Sequence, residues 1–209
     1  MNIHLYLQRI LLDMRIRNND KVQLVKQKAI ELIVRDGLEG FSMNKLAKAC
    51  NISVATLYIY YKDRDDLILK IAMEEGLIMA EATMKDFSPD MSFEDGLRVQ
   101  WYNRYQYTKA KPLLNSFFEQ LRTSSYQEEF LASFLSEFKV VMGKFMQNII
   151  DRGEIELMPF EIYWSVAFAP LYNLIRFNKE GQSMGGRPFK MTDEILWKTF
   201  DLVVKALKK

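Results

Sequence analysis

The sequence predicts an all-α protein with a small N-terminal three-helix domain followed by a larger helical bundle. Glycine and proline are scarce among the 209 residues, at 9 and 5. Between them lie long stretches in which apolar residues recur at helical spacing. Two serines also stand where the N-caps of two short consecutive helices are expected. No segment has the alternating pattern of a strand.

The first core helix is predicted from a periodic run that ends near Gly37. Val22, Val25 and Ala29 recur at helical spacing, and Gly37 is placed to end the helix in a left-handed conformation. Residues 3–16 precede it as an amphipathic stretch, which is interpreted as an extra helix or a leader, with a DNA-binding or partner-binding arm as the alternative. We therefore expect residues 1–19 to be an N-terminal extension.

Two short helices are predicted over residues 42–49 and 54–60. Ser42 and Ser53 are their N-caps, and each is flanked by apolar residues placed as a hydrophobic staple. The connection Cys50–Asn51–Ile52 needs a residue that tolerates left-handed backbone, and Asn51 is the best choice after glycine. The spacing predicts a helix-turn-helix unit.

Longer helices are predicted for the rest of the chain. Asp63 caps a helix that continues to about residue 85, with Asp66 placed in its first turn. Further helices are expected over residues 91–109, 111–122, 125–151 and 160–179, and a last one is capped by Thr192. The glycine-rich loop before that last helix lacks the preceding strand and the Gly-Lys-Ser/Thr ending of a phosphate-binding loop.

Composition excludes several classes of function. With one histidine, His4, and one cysteine, Cys50, the chain cannot build a zinc cluster or a disulfide framework, so no metal or cofactor is expected. The longest uncharged apolar-rich stretch, residues 162–175, is too short to span a membrane. A single thiol and the lack of a signal sequence favour the cytoplasm.

Charge is divided unevenly along the chain. Residues 1–64 contain 11 Lys and Arg against 6 Asp and Glu, a net +5, whereas the remainder contains 18 against 21, a net −3. A basic N-terminal third indicates a nucleic-acid-binding face.

The segment LAKACNISVATLYIYYKDRDDL, residues 46–67, resembles the DNA-binding domain of the tetracycline-repressor-like (TetR) transcriptional regulators. The similarity covers about residues 21–70, and its strongest part is Thr56-Leu57-Tyr58 followed by Tyr60-Tyr61-Lys62. Asn51 and Ala55 stand where that family commonly has glycine, and Arg64 precedes Asp65 where a lysine is common. The resemblance implies a helix-turn-helix domain over residues 20–66 and an effector-binding and dimerisation domain over residues 67–209.

The second short helix is the expected recognition helix, anchored inward by Leu57 and Tyr61. The resemblance implies that the hydroxyl groups of Ser42, Thr56 and Tyr58 meet phosphates or base edges, and that Lys62 contacts phosphate. Arg64 is expected either to contact phosphate or to pair with its acidic neighbours. The residues predicted to bind DNA are Ser42, Asn44, Ser53, Val54, Ala55, Thr56, Tyr58, Tyr60 and Lys62.

Aromatic residues are concentrated in the predicted bundle, with 17 of the 27 between Trp101 and Phe177. Most should form an ordinary core, but bundles also hold ligands between their helices, and the resemblance implies a pocket. Such a lining would suit a bulky apolar or cationic aromatic compound, with Glu119 and Glu137 as partners for a cation. The candidate effector residues are Trp101, Tyr102, Tyr105, Phe118, Phe134, Phe138, Met142 and Tyr172.

The last two predicted helices carry apolar stripes wider than one core contact needs. This surplus predicts a dimer interface, and the resemblance implies the same. Its predicted residues are Trp164, Phe168, Leu171, Ile175, Leu196, Phe200, Val203 and Leu207.

Together these features predict a homodimeric, ligand-responsive transcriptional regulator, a repressor released from a pseudo-palindromic DNA operator by a small apolar or aromatic effector. It is not expected to be an enzyme. One alternative is a helical carrier or enzyme that uses the aromatic pocket without coupling to DNA. The other is a helical scaffold whose DNA-like face binds another protein.

Overall fold

The computed structural model describes the backbone of residues 3–209 and the side chains of residues 20–132 and 139–209. Over residues 3–209 the chain forms helices only, with two isolated β-bridges, so the all-α prediction is confirmed. The helices are α1 (Ile3–Gly40), α2 (Met43–Ala49), α3 (Val54–Tyr58), α4 (Arg64–Met84), α5 (Phe93–Ala110), α6 (Pro112–Arg122), α7 (Gln127–Asp151), α8 (Phe160–Ala167), α9 (Ala169–Glu180) and α10 (Asp193–Leu207).

The chain divides into two compact units. The first comprises Met1–Glu75 and Pro112–Leu131, and the second comprises Gly76–Lys111 and Ala132–Lys209. Helices α4 and α7 each contain a point at which the chain passes from one unit to the other. The functional division expected between residues 66 and 67 stays a prediction.

The first unit is organised around the buried faces of α1 to α4, with α6 packed on α1. Ile33, Leu46 and Leu57 are fully buried, as the helical periodicity requires. Phe117 extends this interior from α6, and the Gln120 amide donates a hydrogen bond to the Val34 carbonyl oxygen over 3.3 Å. Helices α1 to α4 and α6 thus all contribute buried apolar side chains to the first unit.

The end of α1 follows the predicted glycine signal. Gly37 has φ 78° and ψ 164°, which interrupts the helix one turn before its last residue, Gly40. A positive φ costs little only for glycine, because glycine has no Cβ. The backbone then leads through Phe41, which is buried, to the start of α2.

The second unit has an aromatic interior. Trp101 on α5, Phe145 on α7 and Phe200 on α10 are fully buried, and the rings of Trp101 and Phe200 meet edge to face at 5.5 Å. Such a geometry is favoured by the ring quadrupoles. The buried aromatic residues therefore form a close-packed core between the helices of this unit.

The prediction of one helix over residues 160–179 is wrong, because the chain breaks at Phe168 into α8 and α9. Pro170 lies at the start of α9, where it has no N–H to donate, and a proline ring in a helix interior collides with the preceding turn. The Ala167 carbonyl oxygen at the end of α8 accepts a hydrogen bond from the Trp101 indole over 2.7 Å. A side chain of α5 thus satisfies an acceptor at a helix end.

Candidate nucleic-acid interface and effector site

Both short helices of the first unit begin at the predicted serine caps. The Ser42 hydroxyl oxygen accepts from the Lys45 backbone N–H over 3.3 Å, and that of Ser53 accepts from the Thr56 backbone N–H over 3.2 Å. Each bond satisfies one of the free N–H groups of a helix start. The α3 helix ends at Tyr58, two residues earlier than predicted.

Helix α2 ends in a hydrogen-bonded turn that requires one residue in the left-handed (αL) conformation. Asn51 has φ 53°. The Ile52 N–H donates to the Ala47 carbonyl oxygen over 3.0 Å, and the Asn51 N–H donates to that of Lys48 over 3.2 Å. This pair of bonds is a Schellman motif, with asparagine in place of the usual glycine. It fixes the angle at which α3 leaves α2.

Residues on the inner side hold α3 in place. Leu57 is fully buried, and Ala47 and Tyr61 are buried as expected. Cys50 is also buried in the turn, and this burial raises the pKa of its thiol. A raised thiol pKa is opposite to what a reactive cysteine requires, so Cys50 is a packing residue.

The outer side of α2 and α3 leaves most of the predicted DNA-binding side chains accessible. Asn44, Ser53, Ala55, Tyr58 and Lys62 are exposed. Ser42, Val54, Thr56 and Tyr60 are partly exposed. Tyr58 shows 52% of its surface. The fold brings all nine onto one helix-turn-helix unit, and their contact with DNA stays a prediction.

Hydrogen bonds within the protein hold several of the predicted DNA-binding residues in position. The hydroxyl groups of Ser53 and Thr56 are bonded to each other at 2.9 Å. Beyond α3, the Asp66 carboxylate accepts from the Lys62 backbone N–H over 2.8 Å, while the Asp63 carboxylate accepts from the Asp66 N–H over 2.8 Å. Bonds from the Lys70 ammonium and the Lys62 N–H lower the pKa of Asp66. The backbone that carries Lys62 is therefore fixed by the capped start of α4.

Arg64 lies between the elements of the first unit. Its guanidinium donates to the carbonyl oxygens of Phe41, over 3.2 Å, and of Leu38. It also donates to the Asp65 carboxylate over 3.2 Å. Of its two predicted roles, the structure has the pairing with an acidic neighbour, together with carbonyl contacts that the sequence did not predict.

Two lysines on α2 were not among the predicted DNA-binding residues. Lys45 and Lys48 are exposed on the helix that also carries Asn44. The Lys45 ammonium donates to the Gly40 carbonyl oxygen over 2.7 Å, so its side chain already has a partner. Their positions one residue and four residues after Asn44 are the sequence signal that could have indicated them.

The candidate effector residues of the second unit differ in accessibility. Trp101 is fully buried, and Tyr105 and Met142 are buried. Tyr172 is partly exposed, and its hydroxyl oxygen accepts from the Arg104 guanidinium over 3.0 Å. Tyr102 instead shows 51% of its surface on the outside of α5.

Of the remaining three candidates, Phe118 alone has a side chain within the described residues. Phe118 belongs to the first unit, where its ring packs against Phe117 and Phe130 at centroid distances of 5.6 Å each. The side chains of Phe134 and Phe138 lie outside the described residues. A common pocket for all eight residues stays a prediction.

A polar group inside the second unit was missed by sequence reasoning. Gln100 is fully buried and Arg104 is nearly so, one turn apart on α5. The Arg104 guanidinium donates to the Gln100 amide oxygen over 3.3 Å. A glutamine and an arginine four residues apart within a run that also contains Leu97, Trp101 and Tyr105 were the available signal.

The predicted dimer residues lie mainly in the interior of a single chain. Phe168, Leu171, Leu196, Phe200, Val203 and Leu207 are buried within the second unit, whereas Trp164 and Ile175 are partly exposed. The large apolar side chains that α8 and α10 do expose are Phe160, Ile162 and Leu202. The surplus of apolar residues therefore fills a core first and leaves only a few large apolar side chains exposed on these helices.

No three His, Cys, Asp or Glu side chains within residues 20–132 and 139–209 are grouped closely enough to hold a metal ion. Over the described part of the chain, none of the helices has the length and apolar character needed to cross a membrane.

Comparison with known proteins identifies the helix-turn-helix unit. Residues 27–71 match the family model of bacterial regulatory proteins of the tetR family. A TetR-family transcription regulator from Marinobacter aquaeolei VT8 has a crystal structure similar to this fold, with a TM-score of 0.80 and 26% identity, covering 93% of this chain and 99% of that one. Residues 27–71 of this chain therefore form a tetR-family DNA-binding region.

Two further proteins are similar. An uncharacterized HTH-type transcriptional regulator of Haemophilus influenzae is 29% identical over 107 residues, which are 51% of this chain and 57% of that protein. The match thus spans a little more than half of this curated relative. The regulator FadR of Bacillus subtilis, solved in complex with stearoyl-CoA, shares the fold at a TM-score of 0.68 and 16% identity, with 87% of this chain and 97% of that chain covered.

Proposed function

We propose that this chain is a homodimeric TetR-family transcriptional repressor that leaves its DNA operator when a small effector binds in the second unit. The observation that carries the proposal is the α3 helix. Its inner side is fixed by buried Leu57, while Tyr58 and Ala55 are exposed beside the exposed Lys62. A recognition helix must be held rigidly and must present side chains outward to enter a major groove.

The chemistry of this face favours DNA as the partner. Tyr58, Thr56 and Ser53 offer hydroxyl groups to phosphate oxygens, and Lys62 offers a positive charge. Val54 and Ala55 offer apolar surface to thymine methyl groups, whereas Asn44 can bond an adenine edge. Because few groups here form hydrogen bonds to bases, phosphate contacts and DNA shape are proposed to supply much of the selectivity.

A homodimer is proposed because one five-residue recognition helix reads too little sequence for a specific operator. Two-fold related recognition helices about 34–36 Å apart would read two half-sites of a pseudo-palindrome. The exposed apolar side chains of Phe160 and Ile162 on α8 and Leu202 on α10 support an interface on these helices, to which the partly exposed Trp164 and Ile175 could add. We propose that the protein acts in the cytoplasm, where bacterial DNA is accessible.

Release by an effector requires two conformations with different affinities for DNA. Helix α4 starts beside α3 and ends in the second unit, so a shift of α4 would change the placement of the recognition helix. An effector that prefers the shifted form by about 1.4 kcal/mol would weaken operator binding tenfold.

The proposal is tested by measuring DNA binding of the purified chain, of two variants of the helix-turn-helix unit and of one matched lysine control. Fluorescence anisotropy on duplexes that tile the DNA around its own gene should detect one inverted repeat. Lys62→Gln should weaken binding to it severalfold, and Tyr58→Ala about tenfold or more, because each removes a contact worth about 1–3 kcal/mol. Lys190→Gln removes an exposed lysine of the second unit and should bind as the wild type does.

Failure to bind any of these duplexes, or equal binding by the Tyr58 variant and the wild type, would contradict the proposal. Binding of a small molecule with no DNA binding at all would favour the carrier instead.

A further inference from the structure

Inside the second unit, α5 carries a cation among aromatic rings. Arg104 has 7% of its surface exposed, and its guanidinium carbon lies 4.7 Å from the centroid of the Phe168 ring and 5.4 Å from that of Trp164. Cation–π contacts of this kind hold a guanidinium flat against a ring and leave its edge of N–H donors directed sideways. The edge donates to the Gln100 amide oxygen and the Tyr172 hydroxyl oxygen.

Gln100 adds a second buried polar group with a weak partner. Its amide N–H donates to the Met142 sulfur at 3.2 Å, and a thioether is a weak acceptor. A stronger acceptor within reach would therefore be preferred to this sulfur.

Tyr163 supplies the independent observation. It is fully buried on α8, its ring meets Phe168 edge to face at 6.2 Å, and its hydroxyl has no hydrogen-bond partner among the described residues. Burial raises the pKa of Tyr163, so the hydroxyl keeps its proton and remains a donor at neutral pH. Buried hydroxyl groups without a partner are rare because they cost free energy. Phe168 thus contacts both the Arg104 guanidinium, which lies over its ring, and the Tyr163 ring.

We propose that Arg104, Gln100 and Tyr163 bind the negatively charged group of an organic effector whose apolar part packs against Trp164 and Phe168. The proposal rests on the proposed function, since it specifies the effector of that same interior. Arginine presents paired N–H donors that fit a carboxylate, a phosphate or a sulfonate, and a tyrosine hydroxyl adds a third donor. The charge of Arg104 also disfavours the cationic aromatic compound that the sequence suggested.

The test uses two fluorescent probes that differ only in charge. 8-Anilinonaphthalene-1-sulfonate is an aromatic anion, and N-phenyl-1-naphthylamine is the same ring system without the sulfonate. In Arg104→Gln the dissociation constant of the anion should rise at least tenfold, while that of the neutral probe should change less than threefold. Arg98→Gln is the matched control, because Arg98 also stacks on rings, at 4.4 Å from the Phe200 centroid, but its side chain is 42% exposed.

Equal affinity of Arg104→Gln and the wild type for the anion, or equal losses for both probes, would overturn the proposal. If the circular dichroism of Arg104→Gln shows that it does not fold, Tyr163→Phe decides in its place. That variant removes an unpartnered hydroxyl, so it should melt at the same or a higher temperature and bind the anion at least threefold more weakly. Unchanged anion binding by Tyr163→Phe would then overturn the proposal.

Displacement of the bound anion identifies the charged group. At least one of dodecanoate and dodecyl phosphate should displace the sulfonate probe, and the stronger of the two shows which anion the site prefers. Dodecan-1-ol should not displace it. Displacement by the alcohol as strong as by both anions would overturn the proposal. All these measurements are made without DNA. If the chain binds the anionic probe selectively but binds no DNA, the repressor proposal is refuted and the anion site is supported. If the chain binds DNA but does not distinguish the two probes, the anion site is refuted and the repressor proposal is supported.

Discussion

The Arg64 guanidinium donates a hydrogen bond to the Tyr126 hydroxyl oxygen over 2.9 Å, and that hydroxyl donates in turn to the Asp65 carboxylate over 2.6 Å. Arg64 is the first residue of α4, and Tyr126 immediately precedes α7. Through the carbonyl oxygens of Leu38 and Phe41, the same guanidinium also holds the connection between α1 and α2. One side chain therefore ties three segments of the first unit together.

Arg64→Lys is expected to lower the free energy of unfolding by about 2 kcal/mol. Lysine keeps the charge but cannot donate in several fixed directions at once, and bonds from a charged donor are each worth about 1.5–3 kcal/mol. Urea denaturation checks this. The control is Arg35→Lys, because the Arg35 side chain is 67% exposed and, within the described part of the chain, forms an ion pair with its neighbour Asp36 alone. Equal stability losses in the two variants would contradict the role given to Arg64.

The Tyr126 hydroxyl makes the free energy of unfolding depend on pH in the alkaline range. Burial and the bond to the Asp65 carboxylate raise the pKa of Tyr126 to about 12, against about 10 in an unfolded chain. The protonated hydroxyl therefore stabilises the fold fully below pH 10, and this contribution is lost as the pH rises towards 12. Wild type should lose stability relative to Tyr126→Phe between pH 10 and 12, measured by urea denaturation at each pH. A constant difference over that range would refute it.

Asn51 can be tested with a pair of opposite substitutions. Because its φ is 53°, Asn51→Gly should raise the free energy of unfolding by up to about 1 kcal/mol, and Asn51→Ala should lower it by about 1 kcal/mol. Thermal melts of the two variants give the comparison directly. An alanine variant as stable as the glycine variant would mean that the turn does not depend on left-handed backbone.

Much of this fold follows from local sequence signals. The serine caps at Ser42 and Ser53 and the αL residue Asn51 could be read directly, since each has one dominant physical reason. The break at Phe168 was missed, although Pro170 was visible, because the apolar period continues across it. The hydrogen bond between Arg64 and Tyr126 could not be predicted, since it joins residues 62 positions apart.

The candidate site was predicted from the sequence in part. The exposed side of α3 follows from the period set by Leu57 and Tyr61. The apolar stripes of α8 to α10 were assigned to an interface, but Phe168 and Phe200 are buried in the chain itself. A helical stripe shows that a face is covered and does not say whether its own chain or another covers it.

The proposed interface predicts the oligomeric state of two variants. Leu202→Glu on α10 and Ile162→Glu on α8 each replace an exposed apolar side chain with a carboxylate. Leu202 is 63% exposed and Ile162 is 52% exposed. Because these side chains are outside the core, the monomer should still fold, while the dimer should dissociate at micromolar concentration. Light scattering after size-exclusion chromatography gives the mass. Two variants of dimeric mass would place the interface elsewhere.

The salt dependence of DNA binding tests the central claim most directly. A protein that neutralises phosphates through lysine releases counterions, so the logarithm of its binding constant falls linearly with that of the salt concentration. Wild type should show a steep slope on its operator, and Lys62→Gln should reduce that slope by about one per protomer bound. Salt-independent binding, or the same slope in wild type and Lys62→Gln, would contradict the account.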